Sequence, residues 1–512
     1  MPDTPTRAWA EEGSAPTPIR RLLLLSLVLV AVVAASFAVF LPWLGFYGDD
    51  WEIIGHLIRS PDQGLWGLIG AYHQATGTYF HLRPADLVYF PTVYWLGGMS
   101  PWKYQLIYLV LESVTALSVF HALRLATRDL GRSFLTACLF ACYPSHTATH
   151  HCFLGPYTPA MAAFAAALWL HALWIGRGDR RALWGSLLFF AVGDLLYEAV
   201  LPLVILMPVL GLVRCLQSGR PLKDAFRKTL SQSAPIFATA AILVAYFVVI
   251  QHMHPGTISR RLIFDPPYFL KVLGRGFECS FTGLADLFRH SARLAFHNLS
   301  PLLWLAGAVG AISLAALLVR LPGRKILPAE AERSWLWGAV LVFLAAYVPY
   351  AVSADRYIPH TFDVQNRLNG TASLPAAMIV AYALERLGSR ARAAVFAVLL
   401  FSFAVINWET GWEWTRSWSI QRGVLSDIAE RLPGPGDDPI LVYLKGAPLQ
   451  LDSAPVFNVS VFFAQALKTY SRRRDVHGVL WGDSPRDERL LSSGTRRFVF
   501  HFDARRLEPI GP

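Results

Sequence analysis

The chain has 512 residues, of which 54% are hydrophobic and 13% aromatic, and its formal net charge is +11. This composition is typical of a multi-pass membrane protein and excludes an ordinary soluble domain. The basic residues stand in short segments between apolar runs, so they indicate membrane topology and argue against nucleic-acid binding. The five cysteines have no framework spacing, which argues against a disulfide-built domain.

The first apolar run extends from Leu22 to Leu41 and is long enough to cross a bilayer. Arg20 and Arg21 precede it, and no small-residue cleavage site follows it. The pattern therefore predicts a retained membrane helix and not a removed signal peptide.

Two adjacent carboxylates, Asp49 and Asp50, follow this first span. Carboxylates at a membrane surface are costly to hold there, and they usually mark a functional site. The alternative is a solvated pair of loop residues. We interpret the pair as part of a site at the outer membrane surface.

The residue pattern of the first outer loop predicts two helices that lie along the membrane surface, within residues 50–103. Asp50 to Arg59 places its apolar residues on one helical face and its polar residues on another. Leu87 to Leu96 is apolar and aromatic, but it is too short to cross and contains Pro91. Its Tyr and Trp side chains favour the headgroup boundary.

Six basic clusters set the predicted topology when all of them are placed in the cytoplasm. The clusters are Arg20-Arg21, Arg124/Arg128/Arg132, Arg177/Arg180/Arg181, Arg214 to Lys228, Arg320/Arg324/Lys325/Arg333 and Arg386/Arg390/Arg392. The run Ala182 to Val213 is then a hairpin that turns outside near Asp194 to Glu198. The result is eleven transmembrane helices with the C-terminus outside.

Two further outer loops carry positive charge, His252 to Asn298 and Ala354 to Gly370. Arg356, Tyr357 and Arg367 lie in the second of them. Arginine on the outer face runs against the usual bias, which favours a bound anion such as a lipid phosphate. The alternative is that each arginine pairs with a nearby Asp or Glu.

The sequence changes character at about residue 409, so we predict a transmembrane domain at 1–408 and a small extracytoplasmic α/β domain at 409–512. Helices are expected at Trp412 to Leu432 and Val459 to Leu467, and strands at Ile440 to Leu444 and Arg497 to Phe502. No phosphate loop or nucleophile elbow occurs in this domain, so its function is not readable from sequence.

His146 and His150 are four residues apart and share a helical face, a spacing that can bind a metal ion. No third ligand is evident. The alternative is a set of interfacial histidines that hydrogen-bond to backbone or lipid. The pattern requires no cofactor and leaves a divalent metal ion open.

Several short motifs, in this order and on the predicted outer side, resemble the GT-C-type glycosyltransferases, and most closely the protein O-mannosyltransferases and their bacterial relatives. The stretches that carry the resemblance are Arg83-Pro84, the run Leu96 to Leu106, Phe140 to Thr147, Tyr197-Glu198-Ala199 and Arg356-Tyr357-Ile358-Pro359. The resemblance covers about residues 20 to 410. It implies a GT-C-like fold and transfer of a sugar from a polyprenyl-phosphate donor to an extracytoplasmic glycan, lipid or protein acceptor.

The resemblance also implies inversion by single displacement, with one carboxylate as base. The matching residue is Asp49, with Asp50 in support. For the donor phosphate we choose Arg356 and Tyr357, with Arg83 and Arg367 behind them. His146 and Glu198 are expected to contact substrate. The expected location is a bacterial inner membrane, with the active face and C-terminus extracytoplasmic.

The chain departs from the family pattern at three positions in two of these motifs. Ala148 stands where the family has Glu after His-Thr, Tyr143 replaces its first His, and Tyr197 replaces its Lys. A metal-bridged donor phosphate is therefore disfavoured. Two other classes stay open, a non-catalytic GT-C-like protein of envelope assembly and a secondary transporter, although no internal repeat of the transporter kind is visible.

Overall fold

The computed structural model describes residues 19–77, 81–151, 156–254, 263–321, 327–353, 356–362, 364–434, 438–483 and 495–510. Most of these residues are helical. The helices are α1 Ile19–Phe37, α2 Asp49–Ile58, α3 Leu65–Thr76, α4 Asp86–Gly97, α5 Pro101–Thr127, α6 Leu130–Ala141, α7 Ala148–His151, α8 Tyr157–Arg177, α9 Arg180–Leu196, α10 Leu206–Gln217, α11 Leu222–Met253, α12 Pro266–Phe277, α13 Leu284–Asn298, α14 Pro301–Arg320, α15 Ala329–Ala346, α16 Val348–Ala351, α17 Gly370–Glu385, α18 Ser389–Arg431 and α19 Ser460–Ser471.

Eight helical stretches in the described part of the chain are long and apolar enough to cross a membrane. They are Ile19–Trp43, Pro101–Thr127, Tyr157–Arg177, Glu198–Gln217, Leu222–Met253, Pro301–Arg320, Ala329–Ala351 and Ser389–Arg431. The prediction of a mostly helical multi-pass membrane protein is thus confirmed. The other three of the eleven predicted spans contain shorter helices, α6, α9 and α17, of 12, 17 and 16 residues.

Tight turns join α5 to α6 and α8 to α9 because each turn supplies a left-handed residue and a helix cap. Arg128 and Gly178 have φ of 49° and 69°. The Asp129 carboxylate then accepts the Arg132 amide hydrogen at 3.0 Å, and Asp179 accepts that of Arg181 at 2.9 Å. Both caps satisfy amides that a helix start leaves unpaired.

The helix α9 packs closely along α8. A Cβ atom at Gly193 would lie only 3.1 Å from the Ala160 carbonyl oxygen, so the absence of a side chain permits this approach. Small residues allow such close packing between membrane helices, where lipid offers no hydrophobic drive for association. After α9 the chain turns at the extended residue Tyr197 and continues as a 3-10 helix, Glu198–Ile205. This turn lies at the predicted position of the hairpin.

The predicted helices of the first loop are present as α2 and α4, and α3 between them was not predicted. The apolar face of α2 packs against protein instead of lying free on a membrane. Trp51, Ile54 and Leu57 are buried in a cluster with Phe463 and Leu467 of α19. In contrast, α4 exposes Val88, Trp95 and Leu96. Helical periodicity predicts an apolar face but not what covers it.

The second long loop also contains unpredicted helices, α12 and α13, which are joined by a π-helical segment Glu278–Thr282. The Asp265 carboxylate accepts the Tyr268 amide hydrogen and caps α12. Residues 255–262 of this loop, with Arg260 and Arg261, lie outside the described residues.

The C-terminal region is a small α/β unit, as predicted, with strands β1 Ile440–Lys445, β2 Val476–Leu480, β3 Arg496–His501 and β4 Arg506–Pro509. The sheet order is β2-β1-β3-β4, with β4 antiparallel to β3 and the other pairs parallel. One face, which includes Val442 and Leu444, is buried in a cluster with α18 and α19.

The helix α18 is continuous over 43 residues and joins the membrane region to this small domain. The predicted span Ala393 to Ile406 and the predicted helix Trp412 to Leu432 are two parts of it. The predicted domain boundary at 408/409 falls within the helix, where no Pro or Gly pair interrupts it.

Candidate active site

A cavity of about 620 Å³ lies among the start of α2, the segment before α4, the turn after α9, and helices α11 and α16. One part of its wall is charged and hydroxylated, and the other is apolar. Its charged lining residues are Asp49, Arg83, Glu198 and Arg367.

Asp49 and Arg367 form an open ion pair on the polar wall. Asp49 Oδ2 lies 3.9 Å from Arg367 Nη1, and their side chains are 49% and 31% exposed. Neither group is sealed by protein, so a ligand in the cavity can reach both. A contact of 3.9 Å is longer than a hydrogen bond, which leaves room for either group to rearrange.

Asp50 has a different environment from its neighbour. It is fully buried, and its Oδ2 accepts the Tyr47 amide hydrogen at 2.8 Å. The Tyr47 hydroxyl donates to the Trp414 carbonyl on α18 at 2.7 Å. Asp50 therefore fastens the loop that presents Asp49 and does not line the cavity.

Two buried asparagines hold the 3-10 segment Val364–Asn369 that carries Arg367. Asn366 accepts the Ala148 amide hydrogen at 2.9 Å and donates to Thr147 Oγ1 at 2.8 Å. Asn369 donates to the Ser145 carbonyl at 2.9 Å. The segment is thus fixed against the His146 region, far away in sequence.

Arg83 and Glu198 form a two-point ion pair in the cavity wall. Arg83 Nε lies 2.8 Å from Glu198 Oε2, and Nη2 lies 3.0 Å from Oε1. The guanidinium also lies over the Tyr197 ring, 4.6 Å from its centre. Such forked contacts fix geometry as well as charge.

Asp86 lies three residues after Arg83, at the start of α4, and its side chain is buried. Burial raises its pKa to about 8, although the positive charge of Arg83 opposes the rise. The Asp86 carboxyl group is thus largely protonated near neutral pH. The guanidinium of Arg83 is therefore neutralised by Glu198 and not by Asp86.

The apolar wall of the cavity includes Leu201, Pro202, Phe247, Val244 and Val248. Val244 and Val248 are also 46% and 53% exposed on the surface of α11. These two residues border both the cavity and the outside of the helix bundle. The cavity therefore borders the outer surface of α11, one of the helices that are long and apolar enough to cross a membrane.

Five of the residues selected from sequence meet at this cavity, namely Asp49, Arg83, Glu198, Tyr357 and Arg367. Arg356, the first choice for a donor phosphate, does not line it. Its side chain is 68% exposed and lies 3.6 Å from Asp265 and over the Tyr268 ring.

The crystal structure of ArnT from Cupriavidus metallidurans bound to undecaprenyl phosphate aligns over 95% of this chain and 93% of that chain, with 12% identity and a TM-score of 0.44. The apo structure of the same protein aligns over the same shares, with 15% identity and a TM-score of 0.38. No protein-family model and no curated protein sequence matches the chain.

His146 is buried behind the cavity. Its ring lies 6.0 Å from that of Tyr157, which lines the cavity, and 4.9 Å from that of His150. His150 Nδ1 lies 3.3 Å from Glu112 Oε1. Within the described ranges, no group of three His, Cys, Asp or Glu side chains is arranged to hold a metal ion.

Sequence reasoning missed three tyrosines in the cavity wall. Tyr157, Tyr197 and Tyr350 all line it. Tyr350 is buried and lies beside Tyr197 and Tyr157. Each of these tyrosines lies at one end of an apolar run. That position was the only sequence feature that could have indicated a place in the cavity wall.

Proposed function

We propose that this protein is a membrane glycosyltransferase that moves a sugar from a polyprenyl-phosphate donor to an acceptor hydroxyl. The observation that carries the proposal is the cavity itself, with one charged wall and one apolar wall that borders the outer surface of α11. A donor with a phosphate head and a long apolar tail needs both walls at once. The orientation we propose puts this cavity and the C-terminus outside the cytoplasm.

Arg367 is the proposed main ligand of the donor phosphate. Its guanidinium lines the cavity, is 31% exposed, and lies 3.9 Å from the Asp49 carboxylate. Arg83 is the second cation, but Glu198 already neutralises it by two short contacts. We place Arg83 and Glu198 in the role of fixing the wall and contacting the sugar, while Arg356 stays a candidate for the approach to the cavity.

Asp49 is the proposed general base. The acceptor hydroxyl gives its proton to the Asp49 carboxylate as its oxygen bonds to the anomeric carbon. The bond from that carbon to the phosphate oxygen breaks, and polyprenyl phosphate leaves with the electron pair. A single displacement of this kind inverts the anomeric centre. The arginine charge stabilises the developing phosphate anion, which is the usual task of a preorganised cation.

The acceptor is proposed only as a hydroxyl of an extracytoplasmic glycan, lipid or protein. The mechanism assigned here needs no metal ion, since the guanidinium groups supply the positive charge.

The test is transfer by purified protein in liposomes that contain a polyprenyl-phosphate sugar. The sugar is supplied in radiolabelled form with a mixed pool of envelope glycans, lipids and proteins. Loss of label from the donor and its appearance in an acceptor fraction would support the proposal. Donor binding without turnover would favour the non-catalytic class, and movement of intact donor across the bilayer would favour a transporter.

A further inference from the structure

A cluster of basic side chains lies at the end of the helix bundle opposite the cavity. The helix α8 begins at Tyr157 in the cavity wall and ends at Arg177 after 21 residues, a length of roughly 30 Å. Arg124 and Arg128 lie at the corresponding end of α5, and Arg214 lies near the end of α10. Three of the four are half-buried, and Arg177 is exposed.

The helices α5, α8 and α10 pack against one another and bring these side chains to the same end of the bundle. Arg214 Nη1 lies 3.1 Å from the carbonyl oxygen of Leu125, the residue after Arg124. Among the described residues, none of these four arginines forms an ion pair with a carboxylate. The nearest acids in sequence, Asp129 and Asp179, instead accept amide hydrogens at the starts of α6 and α9.

Like charges that are partly buried at one end of a bundle raise the free energy of the folded state, and a bound anion would lower it. The helices nevertheless hold the cluster in place. Arg214 Nη1 donates to the Leu125 carbonyl at 3.1 Å, and Gln217 donates to that of Thr127. Arg124 Nε is buried and has no partner in the described part of the chain.

Arg214 also lines a small, mostly apolar notch between the packed helices α5, α8 and α10. The notch measures about 10 Å³, and Leu125, Leu168, Ile175 and Leu210 are among its walls. Cations at the ends of membrane helices match a lipid whose head is anionic. Basic pockets between membrane helices bind phospholipid headgroups in this way.

We infer that Arg124, Arg128, Arg177 and Arg214 form a binding site for the phosphate group of an anionic phospholipid, in the leaflet at the end of the bundle remote from the cavity. The positive-inside topology makes that leaflet the cytoplasmic one. The inference does not rest on the proposed glycosyltransferase function.

The experiment is native mass spectrometry of the full chain in detergent, titrated with phosphatidylglycerol or phosphatidylcholine. The test variant is Arg124→Gln/Arg214→Gln. The matched control is Arg180→Gln/Arg181→Gln, which removes the same charge from two exposed residues at the neighbouring turn. We expect tight phosphatidylglycerol adducts for wild type and control, and at least about tenfold weaker binding for the test variant, since each charge-assisted contact is worth about that factor.

A second variant guards against misfolding. Arg128→Gln/Arg177→Gln removes two of the four charges and, among the described residues, breaks no side-chain hydrogen bond. An unchanged melting temperature together with weakened binding of phosphatidylglycerol would support the site. Equal binding of the two lipids, or equal weakening in the control, would overturn it. A third arm adds inorganic phosphate: if millimolar phosphate displaces the lipid, the site recognises a free anion and the lipid assignment is wrong.

Discussion

Arg367 Nη1 lies 3.9 Å from Asp49 Oδ2 across one wall of the cavity. The carboxylate belongs to the first turn of α2, and the guanidinium belongs to a 3-10 segment that asparagines tie to the His146 region. The pair is loose and partly exposed, whereas the Arg83–Glu198 pair nearby is tight. In the proposed mechanism the cation binds the donor phosphate and the carboxylate accepts the proton of the acceptor hydroxyl, and both can do so because the pair is loose and partly exposed.

Asp49→Asn should abolish most transfer while the protein still folds and binds donor. The amide keeps the size and polarity of the side chain but cannot accept the proton. Loss of a general base typically lowers the rate about 100- to 10,000-fold. The measurement is the single-turnover rate of sugar transfer in liposomes with saturating donor.

Asp50→Asn provides the matched comparison, because its carboxylate accepts the Tyr47 amide hydrogen and does not line the cavity. We expect a smaller loss of rate together with a lower melting temperature. Normal transfer by Asp49→Asn with an inactive Asp50→Asn would reverse the roles. Normal transfer by the double variant would reject a carboxylate base altogether.

Arg367→Ala should weaken donor binding more than Arg356→Ala. Arg367 lines the cavity and is 31% exposed, while Arg356 is 68% exposed and pairs with Asp265. A lost charge-assisted contact costs roughly 1.5–3 kcal/mol, which corresponds to about a ten- to hundredfold change in donor affinity. Arg367→Lys should restore only part of the binding, because a point charge cannot make a forked contact. A greater loss in Arg356→Ala would return the phosphate site to Arg356.

The sequence predicts the membrane helices well because a span depends on local hydropathy. The predicted topology also places five candidate site residues on one side of the membrane. In the structure all five line one cavity, namely Asp49, Arg83, Glu198, Tyr357 and Arg367. The order of importance of Arg356 and Arg367 for the donor phosphate was harder to predict. Arg367 owes its place to bonds between Asn366 and residues 147–148, more than 200 positions away, and no local pattern encodes such contacts.

The difference between Asp49 and Asp50 has a similar physical origin. Successive residues of a helix point about 100° apart, so one carboxylate can face the cavity while the next is buried. The direction depends on how α2 is docked. That docking comes from α18 and α19, where Trp51 Nε1 donates to Gln421 Oε1 at 2.9 Å. The apolar stripe of α2 therefore predicts a buried face but not its partner.

Asn366→Ala should destabilise the fold and reduce transfer together. It leaves the buried Ala148 amide and Thr147 Oγ1 without their partner and frees the segment that carries Arg367. An unsatisfied buried donor costs about 1–3 kcal/mol. Thr147→Ala removes only one of the two bonds and should cost less in the same chemical-denaturation assay. If Asn366→Ala keeps its stability but loses transfer, the asparagine acts on substrate directly.

The Arg83–Glu198 pair should show strong coupling in a double-mutant cycle. Arg83→Ala and Glu198→Ala each leave a largely buried charge without its forked partner, and each should lower stability by roughly 1–3 kcal/mol. The double variant should be less destabilised than the sum of the two. Additive losses, measured by denaturation in detergent, would mean that the side chains act independently.

Asp86 should make stability fall as pH rises from about 4 to about 8. Burial raises its folded-state pKa to about 8, against an ordinary value of 3.8. Between these values the folded state keeps the proton while the unfolded state has released it, so the folded state binds more protons and each rise in pH favours unfolding. One proton corresponds to a slope of at most about 1.4 kcal/mol per pH unit.

Asp86→Asn, which is neutral throughout, should show a flatter profile of stability against pH between pH 5 and 8. It should exceed the wild type in stability at the upper end of that range. The exposed Asp286→Asn serves as control and should follow the wild-type slope. Parallel curves for wild type and Asp86→Asn would show that the buried carboxyl is already ionised at low pH.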